Sequence, residues 1–468
     1  MLDKRLILTP LLILLTACSM APKYRRPAMP VPAELPLAAP SVEAQEGAAI
    51  TEAGIKWREF LKDEKLVKVT EIALENNRDL RVAALNVERI QALYRIQRAN
   101  LLPEIDGTGY SRKEEVPVAV SGDPEPRIDE YYSAGLGVAS WEFELFGRVR
   151  SLNKAALQRY FATSEGYRGA RLSLIAQTAV AYYTLAADRE NLALAEFTLE
   201  TRRQALDLMQ KRYDIGLVSE IALNQARGSF ESARVQAAYY RTAAAQDKNA
   251  LDVVAGTILP SELLPDDISS LTLPGEVFPG SSSEILLTRP DIMEAEHVLM
   301  SANASIGAAR AAFFPFIGIT TSFGSATSEL SGLFESGTGT WLFSSNINIP
   351  IFDFGKRWNQ LKATKVDKKI ATAQYEKAIQ TAFREVADAL AQKETVDEQI
   401  DAQEKLVNAS AETARLADLR YRSGIDGYLS VLDAQRSLYA AQQQKISARL
   451  LKICNQVTLY KSLGGGAD

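Results

Sequence analysis

Proline stops an α-helix from within, because it has no N–H to donate and its ring collides with the preceding turn. Its distribution constrains this chain more than any other feature. None of the 18 prolines lies between Arg127 and Leu259, and none between Ile351 and Asp468. Glycine, the other helix breaker, is absent from Lys356 through Ser423. Both tracts are dominated by Ala, Leu, Gln, Glu, Arg and Lys, the residues that lose least on entering a helix. The pattern predicts long helices over about 148–213, 219–255, 356–423 and 429–462. At 1.5 Å per residue, a helix of about 65 residues runs on the order of 100 Å, far beyond a globular helix, and needs a partner along its length. A seam is visible where Ile379, Ala382, Val386 and Ala389 recur at alternating spacings of three and four. That spacing suits a coiled coil, and an ordinary helical bundle core explains it equally well.

The chain is written twice on one plan. Asn77-Arg78-Asp79-Leu80 opens a helix that stops at Pro103, and Arg289-Pro290-Asp291-Ile292 opens one that stops at Pro315. Leu145-Phe146-Gly147-Arg148 is matched by Asp353-Phe354-Gly355-Lys356 at an offset of 208. Arg212-Tyr213-Asp214-Ile215-Gly216 is matched by Arg420-Tyr421-Arg422-Ser423-Gly424 at the same offset. Two repeats follow, at 67–258 and 286–462, joined by a linker at 259–285 and ended by a tail at 463–468.

Between each proline stop and Phe-Gly the composition turns to Gly, Ser, Thr, aromatic and β-branched residues. Alternation there, as in Ile317 and Ile319 against Gly318 and Thr320, predicts strands over about 105–118, 130–146, 316–328 and 339–351. Such lengths cover the roughly 9 to 11 residues a tilted strand needs to cross a bilayer. Trp141, Phe143, Tyr131, Tyr132 and Trp341 are available as interface anchors. Four strands cannot close a barrel, which needs about eight, and lipid does not tolerate an open edge. A transmembrane reading therefore requires at least two chains. The competing reading is a small soluble sheet capping a helical bundle.

Lys4 and Arg5 precede an apolar run, Leu6 to Leu15, that is too short to span a bilayer and suits an export signal over 1–17. It ends Leu15-Thr16-Ala17-Cys18, which resembles a bacterial lipobox and makes Cys18 the lipidated first mature residue. Ser19 in the next position, in place of Asp, resembles an outer-membrane sorting pattern. Proline-rich sequence from Pro22 to Pro40 belongs to an extended tether and equatorial segment over 18–66.

A net charge of −5 excludes a strongly basic nucleic-acid binder. With one histidine, His297, and two cysteines, Cys18 and Cys454, the chain supplies neither a Cys/His zinc site nor a histidine triad. His297 and Cys454 read as structural, and Gly464-Gly465-Gly466 lacks the lysine of a phosphate loop. The chain reads as no enzyme and calls for no cofactor or metal.

Taken in order, Leu15-Thr16-Ala17-Cys18, Trp57-Arg58-Glu59-Phe60, Glu75 to Arg81, Glu144 to Arg148, Ser305 to Arg310, Leu432 to Ser437 and Leu463 to Gly466 resemble the TolC-type outer membrane factors. The lipobox aligns the chain with their OprM-like lipoprotein branch. That resemblance implies a mainly α fold with a transmembrane β-barrel. Duplicated helix-strand-strand-helix halves would trimerise into a 12-stranded barrel continued by a long periplasmic α-helical barrel. It implies an exit duct of a tripartite RND-type efflux pump, passively conducting drugs and toxic compounds across the outer membrane of a Gram-negative bacterium. The implied partners are two further copies of the chain, a periplasmic membrane-fusion adaptor, an inner-membrane RND-type transporter and outer membrane lipid, with no nucleic acid. Cys18 would carry N-acyl and diacylglycerol lipid. A protein-secretion duct and a non-conducting, lipid-anchored periplasmic coiled-coil scaffold are the alternatives.

The resemblance also implies a gate at the periplasmic tip. Leu429 and Asp433 are four apart and share a helix face, so in a trimer they form an apolar ring and a carboxylate ring. Arg436 is placed to pair with an adjacent carboxylate, and Arg420 and Tyr421 resemble a latch to neighbouring helices. Their first-half counterparts are Arg212, Tyr213 and Gln225, so the carboxylate of Asp433 has no twin. Asp433 and Arg436 also read simply as a solvated i, i+3 pair worth a few tenths of a kcal/mol.

Overall fold

The computed structural model describes residues 19–36, 55–277, 280 and 282–465. The signal segment and Cys18 lie outside these residues. The fold is mainly α with one four-stranded antiparallel sheet. In the first half α1 (Glu64–Asn76) and α2 (Arg78–Ala99) lead to β1 (Asp106–Val116), β2 (Arg127–Phe143), α3 (Arg148–Asp214) and α4 (Glu220–Ala255). The second half runs α5 (Pro290–Ala311), β3 (Phe316–Thr327), β4 (Gly339–Asn348), α6 (Lys356–Arg422) and α7 (Tyr428–Ser462). Helices α3 and α6 are each 67 residues long. Ile379, Ala382 and Val386 of the three-four seam are 0% exposed and Ala389 is 3% exposed, so that face of α6 is a packed one.

The described residues fall into two compact units: those within 19–28, 86–164 and 294–375 form one, and those within 29–85, 165–293 and 376–465 the other. The first contains the sheet, in the order β1-β2-β3-β4. Strand β2 stops at Phe143, ahead of the expected 146, because the following turn is organised by polar contacts with the start of α3. Arg148 Nε donates to Glu142 Oε1 at 2.9 Å, the Arg150 amide donates to Glu144 Oε1 at 2.6 Å, and Gly147 takes φ 74°. Strand β4 stops at Asn348, two residues before Pro350, which has no N–H for a ladder.

The same unit fastens the N-terminal segment along one face of α5. Arg310 Nη1 donates to the Met20 carbonyl at 3.2 Å and Asn303 Nδ2 to the Pro22 carbonyl at 2.8 Å. Glu296 accepts from Tyr24 Oη at 2.9 Å and from Arg26 Nε and Nη2 at 2.8 Å each. Residues 296, 303 and 310 are seven apart, two helical turns, which puts all three on one stripe. Gly307 lies beside that stripe, where a Cβ would stand 2.7 Å from the Ala21 nitrogen.

The second unit shows the duplication in its backbone joints. Gly216 and Gly424 both take φ 75°, and Gly256 and Gly464 take 73° and 92°, each pair 208 residues apart. At the last pair, each half closes on itself. Asn77 Nδ2, at the start of α2, donates to the Val254 carbonyl at 2.9 Å. Arg289 Nη1, at the start of α5, donates to the Ser462 carbonyl at 2.5 Å. Val254 and Ser462 are also 208 apart, and both carbonyls belong to the last helical turn, which has no intrahelical donor for them. Arg289 further binds Asp291 and Glu385. Burial opposes its charge, the two carboxylates outweigh that, and its pKa is held above the ordinary value.

The linker at 259–285 is folded onto this unit. Leu259, Leu264, Ile268 and Val277 are buried, Tyr183 Oη donates to the Thr272 carbonyl at 3.1 Å, and the Gly275 amide donates to the Phe60 carbonyl at 2.8 Å.

Candidate functional site

One face of the sheet is largely apolar. Leu136 pairs in register with Phe323 and Phe323 with Trp341, so the three stand in one row across β2, β3 and β4. They are 62%, 74% and 75% exposed. Further along β4 on the same face, Phe343 and Ile347, two and six residues beyond Trp341, are 61% and 60% exposed. The opposite face carries Ser322, Thr320, Gly137 and Ser344, with Leu342 as its apolar exception. Of the expected anchors, Trp341 and Tyr131 are exposed, and Tyr132, Trp141 and Phe143 are partly buried. Tyr131 packs on Tyr110 with ring centres 6.0 Å apart, and Trp141 meets Phe143 edge-on at 5.8 Å. Among the described residues, β1 and β4 each keep one unpaired edge. An apolar face bounded by two open edges is unstable in water and, alone, unstable in lipid. No described helix is long and apolar enough to cross a membrane.

The second element is the pair of helix turns at Gly216 and Gly424. Each Arg-Tyr-x-x-Gly motif builds the same helix stop. The Gly216 and Gly424 amides donate to the Tyr213 and Tyr421 carbonyls, and the Leu217 and Ile425 amides to the Arg212 and Arg420 carbonyls, at 2.8 to 3.0 Å. This is a Schellman motif, with a left-handed glycine recovering two end-of-helix carbonyls. The main chains match and the side chains do not. Tyr421 Oη accepts from Arg212 Nη1 at 3.3 Å, contacts Met209 Sδ at 3.6 Å, and stacks at a tilt on Tyr428 with centres 5.3 Å apart. Tyr213 is 39% exposed. Arg420 grips Asp426 with two bonds, at 2.5 and 3.1 Å. That pairing holds the Asp426 carboxyl below the usual carboxylate range. Met209, Leu223, Ala226, Val431 and Leu432 form the buried core under both turns, and Tyr428 joins it.

Of the expected gate residues, Leu429 is 52% exposed although leucine favours burial. Arg436 Nη1 reaches Asp433 Oδ1 at 3.3 Å, and both side chains are mostly exposed. Leu429, Arg436 and Gln225 line a common cleft of about 380 Å³ between α3, α4 and α7. The structure therefore brings Tyr421 to Arg212 and Leu429 to Gln225, while Arg420 turns to a partner not singled out from the sequence, Asp426. That partner was visible as a carboxylate six residues on, across a glycine. Arg202, 8% exposed and lining the same cleft, carried no such signal.

Other titratable groups lie apart from the turns. Asp247 is pushed up to about 6, first by burial and then by the neighbouring Asp188 carboxylate. Burial pushes the Cys454 thiol up to about 11, which leaves it protonated and unreactive at neutral pH. The His297 ring is hydrogen-bonded to Gln158 Oε1 at 2.7 Å and packs near Phe161. Among the described residues no three His, Cys, Asp or Glu side chains gather as a metal site.

The family model described as "Outer membrane efflux protein" matches residues 69–257 and 282–465. The chain is 45% identical over 454 residues to the antibiotic efflux pump outer membrane protein ArpC of Pseudomonas putida, covering 97% of this chain and 93% of that protein. It superposes on the crystal structure of a membrane protein from Pseudomonas aeruginosa with a TM-score of 0.89 at 38% identity, covering 96% of this chain and 98% of the other. The open state of the Neisseria gonorrhoeae MtrE outer membrane channel gives 0.84 at 39% identity, covering 96% and 99%.

Proposed function

The chain belongs to the outer membrane efflux protein family, and from that premise we propose that it is the exit duct of a tripartite RND-type efflux pump in a Gram-negative outer membrane. The observation that carries this reading is the open sheet with its outward row Leu136, Phe323 and Trp341. Three copies supply twelve strands, enough to remove every edge and leave a bore. The apolar row then faces acyl chains, and α3, α4, α6 and α7 continue the wall in the periplasm. A periplasmic adaptor and an inner-membrane transporter deliver the cargo, and the duct itself performs no chemistry. By similarity to the antibiotic pump component, the cargo class is antibiotics and other toxic compounds.

Lipidation of Cys18 belongs to the same proposal. The strap on α5 supports it: Arg310, which holds the Met20 carbonyl, lies six residues before β3. A lipid on the segment that precedes Met20 would add an anchor close in sequence to this strap.

The gate we propose is the α6–α7 turn, with Leu429 as its apolar ring and Asp433 as its carboxylate ring. Arg420, Arg436 and Tyr421 hold it shut against Asp426, Asp433 and Arg212. Single-channel recording in a planar bilayer tests both duct and gate. The parent protein should conduct poorly, and the Asp433→Ala, Arg420→Ala double variant should conduct several-fold better. Equal conductance would remove these residues from the gate. Absence of any conductance from a detergent-purified assembly would favour the scaffold reading.

A further inference from the structure

Arg202 sits twelve residues before the end of α3 with 8% of its surface exposed, yet among the described residues it makes no hydrogen bond and no ion pair. An unpaired buried charge costs several kcal/mol, so arginine is rarely kept in such a place without an anion. The cleft of about 380 Å³ that it borders is lined by a second guanidinium, Arg436, and by no carboxylate. Arg436 has its own partner in Asp433, at 3.3 Å and well exposed, a bond weak enough to be shared. The rest of the wall offers neutral donors: Gln225, Ser229, Ser232 and Gln236. Ala195, Ala233 and Leu432 form an apolar floor that strengthens any charge interaction above it. On its other side Arg202 borders a hollow of about 190 Å³ with Gln435, whose buried Oε1 also lacks a partner. A neutral amide leaves the charge uncompensated. Burial, with the nearby Arg436 charge, holds the Arg202 pKa below its ordinary value, the mark of a cation short of counter-charge.

We propose that the cleft between α3, α4 and α7 is an oxyanion-binding site that takes a carboxylate or phosphate group on Arg202 and Arg436, with Gln225, Ser229 and Ser232 completing the shell. Guanidinium forks suit both anions, which offer paired oxygens to paired N–H groups. At roughly 30 Å³ per water, the cleft holds such a group together with several waters. This inference does not rest on conduction, because binding is measured without a membrane or a voltage.

Calorimetric titration of the detergent-solubilised full chain with inorganic phosphate, and separately with acetate, tests the site at constant ionic strength. One saturable event per chain is expected. Acetate alone would identify a carboxylate site, and phosphate alone or both anions a broader oxyanion site. Arg202→Gln and Arg436→Gln should each weaken binding at least tenfold, and Arg202→Lys should retain part of it. A second measurement separates binding from folding. In chloride buffer Arg202→Met should unfold at the parent temperature or above, since it removes an uncompensated charge, while phosphate or acetate should raise the midpoint of the parent only. No saturable heat with either anion, undiminished affinity in Arg202→Gln, or a marked loss of stability in Arg202→Met would overturn the proposal.

Discussion

Gly216 and Gly256 take nearly the same left-handed conformation, φ 75° and 73°, and differ in what surrounds them. Alanine at either position meets the intrinsic left-handed penalty of about 1–2 kcal/mol. At 216 the new methyl has nothing within 4 Å, so the penalty ends there. At 256 it would stand 2.3 Å from the Asn76 carbonyl oxygen and 2.6 Å from its carbon, where ordinary contact begins at 3.4 Å. Relief requires the start of α2 to move about 1 Å away. That stretches the Asn77 Nδ2 bond to Val254 from 2.9 Å to nearly 4 Å, which is no longer a hydrogen bond. Losing it while both groups stay shielded adds about 1–3 kcal/mol. Gly256→Ala should therefore cost about 2–5 kcal/mol against about 1–2 for Gly216→Ala. Gly464→Ala makes the comparison sharper. It is the repeat partner of Gly256, but its methyl would meet the nearest atom, Arg289 Cγ, at 3.5 Å, so it should behave like Gly216→Ala. Thermal midpoints of the three variants in one detergent give the ranking without a two-state assumption. Equal shifts for 216 and 256, or a 464 variant as damaged as 256, would refute the assignment of the cost to that closing contact.

Two further outcomes follow from the half-buried Asp247 and the buried Glu296. Asp247 keeps its proton to about pH 6 in the fold, against about 4 unfolded, so the folded state binds the extra proton between those values and stability falls as pH rises through that window. Asp247→Asn should flatten the slope between pH 4 and 6 and stabilise the protein at pH 7, read from midpoints across pH; an unchanged slope would refute the raised Asp247 pKa. Glu296→Ala should release the N-terminal strap by removing three charge-assisted bonds, at a cost of about 2 kcal/mol after Arg26 rehydrates. Amide exchange over residues 23–26 should then quicken by about thirtyfold, while exchange in the α3 and α6 cores stays as it was.

The helices were legible because their sequence signal is an absence, of proline and glycine, that no tertiary contact has to supply. Their ends were legible for the same reason in reverse: Gly216 and Gly424 mark the stops whatever packs around them. Strand ends were less so. The chain around Leu145-Phe146 has strand composition, and only the reach of Arg148 and Arg150 back to Glu142 and Glu144 turns it into a corner. At the turns, sequence matched Arg212-Tyr213 to Arg420-Tyr421 as repeats but could not show that Arg212 and Tyr421 touch, because that contact joins the two halves. Arg202 was the least legible. In the run Thr201-Arg202-Arg203 it looks like one of two solvated cations, and only packing separates it from Arg203, which is exposed and paired with Glu200.

Duplication gave the chain two turns with one backbone, and their side chains divide the labour. The first turn is fixed by contacts that salt does not weaken: Ser219 caps α4 by accepting from the Ala222 amide at 3.3 Å, and Val218 packs on the buried core. At the matching positions the second turn has Gly427, with no side-chain cap, and Asp426, held only by Arg420. Gln225 and Gly228 likewise correspond to Asp433 and Arg436, so the second arm has exchanged neutral residues for an ion pair. Exposed pairs of this kind contribute about 0–1 kcal/mol each and are screened within a Debye length of about 8–10 Å at ordinary ionic strength. Apolar packing, by Val218 in the first arm and by Tyr421 and Tyr428 in the second, survives such changes, whereas a rise in salt or a competing charge weakens the ion pairs that only the second arm adds. In the gate proposed above, the ion pairs that salt weakens are those of the α6–α7 turn, so opening is expected to begin there, and salt-dependent conductance lost on Arg420→Ala would be its sign.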